Sequence, residues 1–127
     1  MNRPFVLAVP SEHPGGLDAP RSGHFGQAPC FTLLTVEDGG ITAVTTLDNG
    51  AHATQGCLGP VRALAEAGVG AVVVGGLGAR PLDGLMRAGI TVYQDGSGAT
   101  VAQAAAACLA GTVQVFDPAA TCRGGCH

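Results

Sequence analysis

Ala71-Val72-Val73-Val74 narrows the fold of this chain more than any other four residues in it. The run is apolar and β-branched, without polar alternation, which is the pattern of a strand buried on both faces. Such a strand needs a layer above it and a layer below it. The following residues supply the pieces. Gly75-Gly76-Leu77-Gly78 makes a turn, and a helix is expected from about Ala79 to Ala88, with Leu82, Leu85 and Met86 on one face. Gly89 stops it, and Ile90–Tyr93 is the next strand. Two strands joined through a helix in this way are parallel, with a right-handed crossover. Gly96-Ser97-Gly98 then leads into an alanine-rich helix over about Thr100–Ala110, ended by Gly111, and Val113–Phe116 is a last short strand or tail.

The first half of the chain is built differently. Phe5–Val9 is a short buried strand that ends at Pro10. Residues 10–29 hold four prolines and four glycines and form a long loop, a feature that is functional or disordered in most compact domains. Cys30–Glu37 and Ile41–Leu47 flank Asp38-Gly39-Gly40 as the two strands of a hairpin. A second polar loop, residues 48–59, contains His52 and Cys57. Pro60 opens a helix carrying Val61, Leu64 and Ala65, and Gly68 ends it. The sum is a three-layer α/β domain whose mixed five-stranded sheet is flanked by helices. Residues 1–118 form the single domain, and residues 119–127 a flexible tail rich in cysteine and histidine.

At 127 residues the chain is one domain's worth, large enough to fold without staples. Charged residues make up only 12 %, and the net charge of −3 gives no electrostatic case for nucleic acid. All six basic residues are arginine, which suits forked anion recognition but is equally the mark of a GC-rich genome. Phe5–Val9 is far too short to span a membrane, so the chain reads as cytoplasmic. Five cysteines (30, 57, 108, 122, 126) are an odd count and, in that compartment, point to metal binding or free thiols before disulfides.

Four stretches carry chemistry-bearing residues. His24 lies between Gly23 and Gly26 near the end of the first long loop, as either a metal-capable imidazole or a satisfied turn histidine. Cys122-x3-Cys126-His127 places two thiols and an imidazole within six residues, though not at the spacing of a zinc ribbon. Cys57 precedes a helix, whose N-terminal partial charge favours thiolate and so suits a ligand or a nucleophile. Alternatively it is a small buried residue closing the loop. Gly75-Gly76-Leu77-Gly78-Ala79-Arg80 follows a buried strand and opens a helix, the geometry of an anion cradle, or a turn that needs glycine for sterics. It matches neither a dinucleotide fingerprint nor a phosphate loop. Cys108, inside the alanine-rich helix, reads as core, and Cys30 as core or ligand.

Gly16-Leu17-Asp18, Ser22-Gly23-His24-Phe25-Gly26-Gln27-Ala28-Pro29, Gly56, Ala71 to Gly78, Ala88 to Tyr93 and Gly111 together resemble the dinitrogenase iron–molybdenum cofactor biosynthesis family. That family includes NifX, NafY, the C-terminal part of NifB and the molybdenum–copper orange proteins. The resemblance runs from Val6 to about Val115, and the His-Phe-Gly-x-Ala-Pro run is its most specific part. It implies a ribonuclease-H-like α/β fold and the binding or carriage of a metal–sulfur cluster (iron–molybdenum, molybdenum–copper or iron–sulfur) without catalysis. It also implies a cluster donor or acceptor protein as partner. By motif position His24 is the cluster-binding histidine; Gly26 beside it and the cradle residues Gly76, Gly78 and Arg80 are the expected cofactor-facing residues. Cys30 stands where many relatives have an aromatic residue, and only some members have the Cys/His tail.

The expected function is therefore a non-catalytic carrier of a metal–sulfur cluster or soft metal ion. Its expected metal ligands are His24, Cys57, Cys122, Cys126 and His127, converging as the tail folds back. The alternatives are a metal-free regulatory or scaffold module and a thiol enzyme pairing Cys57 with His24 or His52, for which no orienting third group is visible. A nuclease of the ribonuclease-H type needs several carboxylates to hold divalent metals, usually with one on the first strand, and Phe5–Val9 has none.

Overall fold

The computed structural model describes residues 4–23, 25, 28–49, 59–75, 77–94, 100–111 and 114–115. Its elements run β1 (Phe5–Ser11), β2 (Cys30–Glu37), β3 (Gly40–Asp48), α1 (Gly59–Glu66), β4 (Ala71–Val74), α2 (Ala79–Arg87), β5 (Thr91–Gln94), α3 (Val101–Leu109) and β6 (Gln114–Val115). One mixed sheet takes the order β3-β2-β1-β4-β5-β6. Five strands form its body, and β6 adds two residues at the edge of β5. β1 pairs antiparallel with β2 and parallel with β4, and β4 pairs parallel with β5.

β4 lies inside the sheet, and all four of its residues are buried. Val72 and Val74 face a core that includes Val61 and Leu64 of α1 and Leu82 and Leu85 of α2. Ala71 and Val73 face a second core with Val101, Ala104 and Ala105 of α3. Helices therefore cover both faces of the sheet, as the β-branched run requires. Each fully buried valine there contributes roughly 1.5–3 kcal/mol relative to exposure.

The β2–β3 hairpin closes through Asp38-Gly39, with φ +52° and +79°. Two consecutive left-handed residues are the geometry that matches the twist of paired strands, and Asp-Gly is the dipeptide that tolerates it. Further along the hairpin the register shifts: Ile41 pairs with Val36, but Ala43 pairs with Thr35. Thr42 is thus an extra residue, and a one-residue insertion turns every later side chain to the other face. This is why Ile41 joins the α3-side core while Leu47, of the same parity, joins the α1/α2-side core.

Three local expectations are corrected. The first strand does not stop at Pro10 but continues to Ser11. Pro10 O accepts from Ser22 N (2.8 Å), so the position of the missing N–H faces away from β2, and the β1–β2 ladder loses nothing. In α1 the buried alanine is Ala63, and Ala65 faces outward. Met86 is 58 % exposed and not part of the core. It overhangs the short β6 edge, where Leu82, Ile90, Val92 and Val115 line an apolar groove of about 440 Å³.

Candidate functional site

β1, β4 and β5 are parallel, and β3, reached through two antiparallel pairings from β1, runs the same way. Their carboxyl ends therefore share one edge. The segments 12–29, 49–58, 75–78 and 95–99 all leave from that edge. Between β1 and β4 the connections diverge, since β1 leads toward β2 on one side and β4 toward β5 on the other. Such a divergence opens a crevice at the carboxyl ends of the strands, the usual ligand position in open α/β sheets.

Arg21 links the two diverging strand ends. Its backbone makes an antiparallel bridge to Ser11 at the end of β1, and Ser22 N continues it to Pro10 O. Its guanidinium lies against Gly75 at the end of β4. A Cβ built on Gly75 would stand 2.5 Å from Nη1 and 3.3 Å from Cζ. No local pattern in the sequence gives Arg21 a role, because its position depends on strand order.

The residues around His24 act as anchors. Ser22 is buried beside β1. Phe25 is 1 % exposed, and its ring packs on Phe31 of β2 with centroids 5.3 Å apart at 53°. Ala28 O accepts from the side chain of the fully buried Asn49 at 2.7 Å, and Pro29 O accepts from Asn49 N at 3.0 Å. Asn49 immediately precedes the segment that contains His52 and Cys57, so one buried amide ties the His24 loop to the Cys57 loop. This clamp too leaves no local trace, since nothing in the sequence around it distinguishes Asn49 from an ordinary loop asparagine.

Two helix N-termini contrast. At α3, Thr100 and Gln103 form a capping box, and the amides of Val101 and Ala102 donate to Ala19 O and Leu17 O (both 2.9 Å). The loop over 16–20 thus seals this terminus, which accounts for Gly16-Leu17-Asp18 as a docking feature. At α2 the N-cap is Gly78, in extended conformation and without a side-chain cap. Gly78 is buried, and Arg80 is exposed on the first turn.

The two described thiols lie at different places in the fold. Cys30 is buried, with its Sγ 3.6 Å from Ser11 O and 3.7 Å from Glu12 O. Burial, then the nearby Asp48 and Glu12 carboxylates, push its pKa up and keep it protonated. Cys108 is half-buried against the α3-side core, near Phe5 and Asp38 at the far end of the sheet, and burial raises its pKa too. Among the described residues no group of three or more His, Cys, Asp or Glu is placed to hold a metal. Of the expected site residues, Gly78 and Arg80 are described; His24, Gly26, Cys57, Gly76, Cys122, Cys126 and His127, with His52, lie outside the described residues. β6 is antiparallel to β5, so at Val115 the chain is heading away from the carboxyl edge.

The family model described as Dinitrogenase iron-molybdenum cofactor matches residues 6–111. The orange protein of Desulfovibrio gigas, in its apo form, is 33 % identical over 88 % of this chain and 92 % of its own, with a TM-score of 0.78. The Thermotoga protein TM1290, described as NifB-like, is 28 % identical over 87 % of this chain and 92 % of its own, with a TM-score of 0.71. MJ0327 of Methanocaldococcus jannaschii shares the fold at 11 % identity, covering 91 % of this chain and 98 % of its own, with a TM-score of 0.73. No curated protein matches. Among the described residues no helix is long and apolar enough to cross a membrane.

Proposed function

The chain belongs to the dinitrogenase iron–molybdenum cofactor family, and from that premise we propose that it binds and carries a metal–sulfur cluster without transforming it. The family is associated with iron–molybdenum cofactor biosynthesis and cluster binding. The cluster is cargo here, received from a donor protein and passed to an acceptor. Its class is iron–molybdenum, molybdenum–copper or iron–sulfur; the likeness to an orange protein and to a NifB-like protein supports this range.

The observation that carries the reading is the convergence of loops at the carboxyl edge. The segments containing His24 and Cys57 both start there and are tied together by Asn49. Imidazole and thiolate are the ligands that soft metals choose. In this reading His24 and Cys57 supply the first bonds, and Cys122, Cys126 and His127 complete them. The tail must reverse direction after Val115, and six extended residues from 116 to 121 reach roughly 20 Å, longer than β5 itself. Loop closure adds about 0.6 kcal/mol per doubling of length, and metal bonds on the order of 10 kcal/mol exceed it.

The test is metal and sulfide analysis, with visible spectra, of protein purified without oxygen. The intact chain is compared with His24→Ala and with a chain ending at Thr121. Both variants are expected to lose metal. Full loading of both overturns the convergent ligand set, and an intact chain that neither holds nor takes up metal leaves a metal-free regulatory module.

A further inference from the structure

We propose that Arg21 is the cation that receives the negative charge of the cargo, with its guanidinium held beside Gly75 where the connections after β1 and β4 diverge. This rests on the carrier reading and adds to it the element that selects for charge. Metal–sulfur clusters and thiometallates are anions, and a few protein ligands on their metals leave much of that charge on sulfide. The family's expected imidazole and thiolate ligands do not offset it.

Four arginines are described, and their settings differ. Arg62, Arg80 and Arg87 are exposed, and Arg87 pairs with Asp83 at 2.8 Å. Arg21 alone among these four is drawn partly into the fold. It stands where the connections diverge, linked through its backbone to Ser11 of β1 and through its side chain to Gly75 after β4. A guanidinium is planar, always charged and more weakly hydrated than an ammonium, so it serves in a half-buried position facing an anion. The guanidinium is held in place at residue 75. The space a side chain would need there is taken by the charged head, within 3.2 Å of the built Cβ for Nη2 as well as closer for Nη1. The neighbouring N-terminus of α2, with no side-chain cap, adds amide dipoles of the same sign.

The experiment uses the tetrathiomolybdate ion as probe. Its binding to the full chain is followed by visible absorbance under argon at low and at high salt. The proteins are the wild type, Arg21→Gln, Arg21→Lys, Gly75→Ala and, as a control, Arg87→Gln, each checked for folding by circular dichroism. The wild type is expected to bind. Arg21→Gln is expected to bind about ten-fold more weakly or worse, the scale of a lost hydrogen bond to a charged group, with a shallower salt dependence. Arg21→Lys should fall between the two, and Arg87→Gln should match the wild type. If Arg21→Gln binds as the wild type does, the inference is overturned while the carrier reading stands. If Arg21→Gln fails to fold, Gly75→Ala decides, since it keeps the charge and displaces it; unchanged affinity there overturns the inference. A wild type that binds no tetrathiomolybdate overturns the inference together with the carriage of thiometallates.

Discussion

Arg21 and Gly75 occupy complementary volumes: the guanidinium of one fills the space beside the Cα of the other, with Nη1 2.5 Å from where a Cβ would be. The pair joins the loop after β1 to the turn after β4. What stands against the Cα of Gly75 is therefore the flexible end of a side chain from a distant part of the sequence.

Gly75→Ala should consequently leave the fold intact. The atoms in the way are the end of a flexible side chain, which can swing aside, so urea unfolding should shift by about 1 kcal/mol or less. The side-chain Nε resonance of Arg21 should move in NMR spectra. A loss of several kcal/mol would mean that the backbone at residue 75, not the guanidinium, is what tolerates no side chain.

Asn49→Ala removes a buried side-chain hydrogen bond to Ala28 O. Leaving that carbonyl without its partner should cost about 1–3 kcal/mol. Because the amide joins two loops, anaerobic metal content should fall although Asn49 is not itself a proposed ligand. Unchanged loading at reduced stability would confine Asn49 to a structural role.

Thr100→Ala removes half of the capping box on α3. A loss of about 1 kcal/mol is expected. Amide exchange should quicken first at Gln103, whose N–H donates to the threonine hydroxyl. The amides of Val101 and Ala102, held by the loop carbonyls, should respond less.

Leu85→Ala and Met86→Ala should differ sharply. Leu85 is 0 % exposed and its truncation should cost about 2–5 kcal/mol. Met86 is 58 % exposed, and its truncation should cost under about 0.5 kcal/mol. Similar losses would show that the edge groove is covered in solution.

Cys30 titrates above its ordinary value of 9.0 because it is buried near Asp48 and Glu12. The folded state then holds a proton that the unfolded chain releases once pH passes the ordinary thiol value. Stability from this group is fully present below that value and declines as pH rises through and beyond it. Denaturation midpoints of Cys30→Ser should lose this alkaline decline, and iodoacetamide should label native Cys30 slowly at pH 8.

The readable parts of the chain are those whose causes lie within a few residues. The Ala71–Val74 run requires cover on both faces, Asp38-Gly39 satisfies a tight hairpin, and Gly68, Gly89 and Gly111 follow the three described helices. The His24 motif stands out in the sequence, and among its described members Ser22, Phe25 and Ala28 are buried anchors of the loop. Other features had no local trace. The bulge at Thr42 reverses which face Ile41 and Leu47 serve. Leu17 and Ala19 carbonyls cap a helix far along the chain. Asn49 holds Ala28, and Arg21 meets Gly75. Each of these joins groups distant in sequence, and their nearness follows from the order β2-β1-β4, which sets which strand ends are neighbours. Residue patterns encode the energetics of a single strand or helix. The placement of a charge between two strand ends is a property of the assembled sheet.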